Sequence, residues 1–193
     1  DMKEILLSYW EECDSLTFTL LSHLAVALGV EPGIILDFFN EPLTNMTLLH
    51  YPVSSSKSEN SGIHPHKDIS AITILHPDPL GGLEIRTRKG EWIEILCPQE
   101  ALLVNIGDFM EVWSGGRFIS TPHRVSNRNQ KPRYSAPYFS VPRHSTLVKP
   151  LVKCENSFEH REILVGEVSA EVWRTNWLDE NPSESDYQLG AIN

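Results

Sequence analysis

Over roughly the first forty residues apolar side chains return every three or four positions. Ile5, Leu6, Tyr9, Trp10, Leu16, Leu20, Leu21, Leu24, Ala25 and Leu28 form one stripe, which predicts an amphipathic helix. Gly29 predicts its end, and Glu31-Pro32 predicts the start of a second, shorter helix ending near Phe39. Glu4, Glu11, Glu12 and Asp14 read as the solvated face of the first helix. From Thr44 the texture changes to short apolar runs cut by Gly, Pro and Asn. Candidate strands are Thr47–Tyr51, Ile69–Leu75, Leu83–Arg86, Trp92–Leu96, Ala101–Ile106, Phe118–Ser120 and Tyr134–Val141. Short strands separated by turn signals predict a β-sandwich or barrel, not alternating βαβ units.

The connections follow the same logic. Residues 53–62 are polar and predict a loop, and Lys89-Gly90 predicts a tight hairpin between two of the strands. After Pro150 the pattern weakens: Phe158–Trp173 predicts a terminal helix, and residues 181–193 a loose tail. The chain thus divides into a helical support segment over 1–43, a β core over 44–150, and a C-terminal helix and tail over 151–193.

Composition narrows the class without naming a function. A chain of 193 residues suits one domain with a sizeable core. Its formal net charge of −10 repels polyphosphate backbones, so nucleic acid is not an expected partner. An apolar run long enough to span a membrane is lacking, so none is expected there either. The opening DMKEILLSYW does not have the build of a secretory signal, and Asp1 suggests a natural start further upstream. Cys13, Cys97 and Cys154 are odd in number and far apart, which suits a reducing, cytoplasmic setting better than a disulfide framework.

The candidate chemistry lies in the unevenly placed histidines. In HPHKD, His64, His66 and Asp68 alternate, and alternate side chains of an extended strand share a face. A histidine and an aspartate two residues apart can therefore aim at one ion, and His123 in STPHRVSN is the candidate third ligand. Two imidazoles and one carboxylate on one face of an octahedron suit iron(II) and leave positions open for other ligands. A His-x-Asp alone also occurs on ordinary surfaces. Arg133 and Ser135 in PRYSAPYF add weight, because arginine clamps a carboxylate bidentately and a serine hydroxyl on the same strand face adds a donor. His64 has the strand parity of His66, but the Asp two residues after His66 favours His66. His50, His76, His144 and His160 have no partner at useful spacing. Asn105-Ile106-Gly107-Asp108 reads as a turn closing a strand, and Trp92, Phe109 and Trp113 read as core.

At this point the chain resembles the isopenicillin N synthase-like group of 2-oxoglutarate-dependent dioxygenases. The resemblance runs from about Thr47 to Pro142 through LLHYP, HPHKDISAITIL, GGLEIRTRKGEWIEI, LLVNIGDFMEVWSGGRF, STPHRVSN and RYSAPYFSVP, in the family's order. It implies a mainly β fold with flanking helices, a double-stranded β-helix or jelly roll. It assigns His66, Asp68 and His123 to iron(II), and Arg133 and Ser135 to the distal carboxylate of 2-oxoglutarate. Tyr51 matches a tyrosine that often bonds the same cosubstrate. The implied reaction oxidises, most often hydroxylates, a small organic substrate with molecular oxygen, releasing succinate and carbon dioxide. Two alternatives share the metal set: an iron oxidase that dispenses with 2-oxoglutarate, and a catalytically silent metal-binding module. Three features depart from the family pattern. Leu49 stands where plant members often carry a donating Asn, and Trp113-Ser114-Gly115-Gly116 replaces a common Trp-Ser-Asn-Gly turn. Relatives also usually carry a further N-terminal helical segment.

Overall fold

The computed structural model describes residues 1–53, 62–98, 100–126 and 131–175. The predicted loop at 53–62 falls largely outside them, and the predicted tail at 181–193 wholly so. Helix α1 spans Met2–Leu28, opened by a reciprocal capping box between Asp1 and Glu4 and closed at Gly29, whose φ of +73° suits a residue without Cβ. Helix α2, Pro32–Leu36, begins with proline in its first turn and runs into a 3₁₀ turn at Asp37–Phe39. Both helices match the apolar periodicity. One expected solvent-facing acid does not: Asp14 accepts a hydrogen bond from the buried Tyr138 hydroxyl, tying α1 to the sheet beneath it.

Among the described residues the β core follows in twelve short strands. These are β1 (Asn45–Met46), β2 (Leu49–Tyr51), β3 (Gly62–His66), β4 (Ile72–Leu75), β5 (Leu83–Arg86), β6 (Trp92–Glu94), β7 (Leu103–Ile106), β8 (His123–Ser126), β9 (Arg133–Ser135), β10 (Tyr138–Ser140), β11 (Leu147–Val148) and β12 (Ile163–Leu164). Two four-stranded antiparallel sheets, ordered β1-β10-β4-β7 and β3-β8-β5-β6, form the main walls, and β2-β9 and β11-β12 are separate pairs. Helix α3 (Asp108–Trp113) lies between β7 and β8, and α4 (Val165–Thr175) follows β12.

The predicted strand Tyr134–Val141 is split, and the reason is chemical. Asn45 pairs with Phe139, Met46 with Tyr138, Leu49 with Ser135 and Tyr51 with Arg133, so one register runs through both pairs. Between them stands Pro137, which has no N–H to give the ladder, although its carbonyl still accepts from Thr47 N–H at 3.2 Å. β1–β2 and β9–β10 are therefore one long antiparallel ladder with a gap.

Alternation along β4 explains the layers. Ile72 packs in the cluster of Leu21, Ala25, Leu28, Ile35 and Trp113, and Ile74 packs with Cys13 and Tyr138, so this face lies under the helices. Leu75 belongs instead to the inner cluster of Tyr51, Leu83 and Val125. Trp113 and Phe109 are fully buried, as expected of core residues.

Three expectations need correction. Phe118–Ser120 is not a strand: Ser114 Oγ accepts from Phe118 N–H and Glu111 Oε1 accepts from Ser120 N–H, which folds this stretch back on α3. The strand that crosses the barrel here is β8, which begins at His123. Asn105–Asp108 is more than a turn, because Asp108 opens α3. The terminal helix begins at Val165, not Phe158, because Ile163 and Leu164 first pair with β11. The hairpin at Lys89-Gly90 is as expected, closed by Thr87 N–H to Glu91 O at 2.8 Å.

Gly107 sits where the β7 exit meets the chain before β4. A Cβ there would lie 2.2 Å from the Ser70 carbonyl oxygen and 2.4 Å from Ser70 Oγ, so the backbone itself is in the way. Gly107→Ala is expected to cost about 1–3 kcal/mol or more of stability. A thermal melt checks it: an unchanged melting temperature would contradict this close approach.

Candidate metal and cosubstrate site

Strands β3 and β8 are antiparallel neighbours, with Gly62 opposite Ser126 and Ile63 opposite Val125. The register then slips, and His66 stands opposite His123. Two residues of β3, His64 and Pro65, thus face the single Arg124 of β8, which is the count of a β-bulge. The simple alternation His64, His66, Asp68 does not hold across this irregularity. The bulge places His66 on the inward side together with Ile63, whereas unbroken alternation would put these two on opposite faces. His64 contributes only its carbonyl, which accepts from His66 Nδ1 at 2.8 Å.

Asp68 lies beyond the end of β3, in the loop to β4, and is buried with its Oδ1 facing both rings. That oxygen is 3.8 Å from His66 Nε2 and 3.5 Å from His123 Nε2. The two imidazoles have centroids 4.2 Å apart, and one ligand atom from each of the three residues falls within 4.8 Å of the others. His123 Nδ1 bonds to the Thr121 carbonyl at 3.1 Å. A carbonyl only accepts, so each ring gives Nδ1–H to the backbone and turns Nε2 inward, the nitrogen that a metal would take in the neutral ring. Burial, with His123 alongside, pushes the His66 imidazole below its usual value, against the opposing pull of Asp68 and the bond to the His64 carbonyl.

This shift has a pH consequence. Protons are disfavoured on folded His66 relative to the unfolded chain, so acid binds the unfolded state first. Native stability should therefore hold through neutrality and begin to fall only below the ordinary histidine value of about 6.5. A denaturant titration repeated across pH checks this. Stability that already falls between about pH 8 and 7 and is level below would contradict the direction of the shift.

Behind the three residues lies a set of charges that the sequence pattern does not reveal. Lys67 Nζ is 3.2 Å from Glu111 Oε2 and 3.8 Å from Asp108 Oδ1, and Arg161 Nη2 is 2.9 Å from the same Glu111 oxygen. The Asp108 carboxyl is pushed up to about 6, chiefly by burial and against the nearby Lys67 ammonium.

The second half of the site hangs from the β2-β9 pair. Arg133 is 1% exposed, and its Nε donates to the Gly81 carbonyl at 2.9 Å. Its Nη1 is buried without a hydrogen-bond partner among the described residues. Tyr51 stands opposite Arg133 in register, with the guanidinium carbon 4.8 Å from its ring centroid. The Tyr51 and Ser135 hydroxyls are 3.5 Å apart. Leu49, opposite Ser135, offers no donor. A buried guanidinium N–H without an acceptor is costly unless a ligand satisfies it, and a carboxylate is the acceptor that fits its fork. The residues present therefore suit both a divalent ion and a 2-oxo dicarboxylate.

A jelly-roll barrel holding two inward imidazoles and a carboxylate, with a buried arginine on the neighbouring pair of strands, has the form of a non-haem metal oxygenase. The profile of the 2OG-Fe(II) oxygenase superfamily matches residues 43–142, and the chain belongs to that family. Among curated proteins it is 34% identical over 145 residues to 2-oxoglutarate-dependent dioxygenase 11 of Oryza sativa subsp. japonica, covering 75% of this chain and 40% of the relative. Gibberellin 20 oxidase 2 of Oryza sativa subsp. indica is 34% identical over 149 residues, covering 77% and 38%. Among solved structures, a 2OG-Fe(II) oxygenase family protein from Caulobacter crescentus superposes with a TM-score of 0.77 at 29% identity, over 89% of this chain and 58% of that one. The chain thus spans about 40% of the length of the curated relatives it matches.

Proposed function

We propose that this chain carries the catalytic core of an iron(II)- and 2-oxoglutarate-dependent dioxygenase that oxidises, most simply by hydroxylation, a small organic substrate. The observation that carries the reading is the joint presence of the His66–Asp68–His123 group and the orphaned, buried Nη1 of Arg133. In this reading His66, Asp68 and His123 hold iron(II). Arg133 takes the distal carboxylate of 2-oxoglutarate, with the Ser135 and Tyr51 hydroxyls as further donors. When bound, this pair supplies the oxidising chemistry, using molecular oxygen and releasing succinate and carbon dioxide. The chain's own task is to fix geometry and keep water out. The backbone bonds of His66 and His123 hold both rings in the ligating tautomer, and the sunken guanidinium fixes the reach of the cosubstrate.

The proposal includes a reducing, cytoplasmic setting, supported by the three free cysteines. Nucleic acid and membrane are outside it: the charge is unfavourable for the first, and no helix among the described residues is long and apolar enough to cross the second.

The test is to load the chain with iron(II) and 2-oxoglutarate without oxygen, admit oxygen, and measure succinate against oxygen consumed. Matched formation of succinate is expected. Oxygen uptake without succinate would favour the oxidase that dispenses with 2-oxoglutarate. Neither product nor uptake, with iron bound, would mark a silent module.

A further inference from the structure

We propose that Asn105-Ile106-Gly107-Asp108 is a clamp that holds Asp68 to one-oxygen coordination, with Asn105 as the positioning residue. The inference rests on the assignment of Asp68 to the metal. A carboxylate can bind an ion through one oxygen or both. On a six-coordinate ion, one-oxygen binding by Asp68 leaves three positions open beside two imidazoles, whereas two-oxygen binding leaves two. A chelating 2-oxo acid needs two and oxygen needs one, so this choice decides whether both can be accommodated.

The structure separates the two oxygens of Asp68. Oδ1 faces His66 Nε2 and His123 Nε2 at 3.8 Å and 3.5 Å. Oδ2 accepts from Asn105 Nδ2 at 3.5 Å. Asn105 is opposite Thr73 across the β7–β4 ladder, which fixes its height beside the Asp68 loop. Backbone bonds hold that loop from the same segment. Asp108 N–H donates to the Asp68 carbonyl at 2.9 Å, Gly107 N–H to Ala71 O at 3.0 Å, and Phe109 N–H to Ser70 O at 3.1 Å. Gly107 permits this contact because a Cβ would strike the Ser70 carbonyl at 2.2 Å. Main chain and side chain of Asp68 are therefore both gripped from one four-residue stretch. An amide donor on Oδ2 engages that oxygen and opposes the rotation that would bring it to the ion. Partners of this kind, one bond removed from the metal, typically govern about 10- to 100-fold in metal affinity or activity.

The experiment compares the parent chain, Asn105→Leu, Asn105→Asp and Asp68→Ala. Iron(II) and then 2-oxoglutarate are titrated without oxygen, followed by the visible charge-transfer absorption of the iron–2-oxo acid chelate. Asp68→Ala should lose iron binding; if it binds iron as the parent does, the underlying metal assignment fails. Given that loss, both Asn105 variants should still bind 2-oxoglutarate on iron but with a shifted chelate band, and should consume oxygen about 10- to 100-fold more slowly once it is admitted. Leucine removes the donor at similar volume, and aspartate replaces it with an acceptor of the same shape, so the second variant stands if the first folds poorly. Asn105 variants that match the parent in band position and in oxygen consumption would overturn the clamp, and a lower melting temperature with an unchanged band would overturn it equally.

Discussion

Arg133→Ala is expected to raise the 2-oxoglutarate requirement by roughly 30- to 4,000-fold while iron binding stays close to that of the parent chain. The range follows from removing one partner of a buried, charge-assisted pair, which costs about 2–5 kcal/mol, at about 1.4 kcal/mol per tenfold. The structure gives the physical reason. Arg133 is 1% exposed, and while its Nε bonds the Gly81 carbonyl its Nη1 has no acceptor among the described residues, which leaves that N–H for a ligand. Arg133→Lys should restore only part of the affinity, because an ammonium is a point charge and cannot reproduce the planar fork. Ser135→Ala should act in the same direction and more weakly, since a neutral donor is lost. Calorimetric titration of 2-oxoglutarate into iron-loaded variants measures all three. An affinity untouched in Arg133→Ala would mean that the cosubstrate binds elsewhere or that this chain does without it.

The second large effect is at the metal. His123→Ala should abolish iron-dependent turnover and reduce iron affinity to a trace, and His66→Ala should do the same. Neither should unfold the chain. The two residues stand opposite one another at one end of the paired strands β3 and β8, and the barrel is held by the apolar clusters. Far-ultraviolet circular dichroism checks the fold, and iron titration checks the site. Retention of iron at parent strength after His123→Ala would remove that residue from the ligand set.

The contrast between these residues and Asn105 shows how much of the site is legible in the chain. The histidines, Asp68 and Arg133 carry distinctive side chains at characteristic spacing, and the structure brings His66, Asp68 and His123 within 4.8 Å. Asn105 acts across a sheet on a residue 37 positions away, and spacing along the chain contains no trace of such a contact. The same divide runs through the fold. The stripe of α1 marks a helix because one face is buried and the other is wet. All six residues of α3 are buried, so it has no polar face to give a period, and six residues are too few to show one. β8 escapes the pattern because HRVS is short and mixed, while the more apolar Phe118–Ser120 beside it is held as irregular chain by bonds to Ser114 and Glu111. Tertiary contacts decide these stretches, and local preference does not.

The bulge in β3 has a bearing on how molecules of this protein meet one another. Among the described residues β3 is the outermost strand of its sheet, and a bare strand edge is a template onto which a strand of another molecule can add. Pro65 removes one donor from that edge, and the two-against-one count at His64 and Pro65 breaks its repeat, so an incoming strand cannot stay in step past this point. The irregularity that turns His66 inward thus also opposes intermolecular sheet growth along this edge.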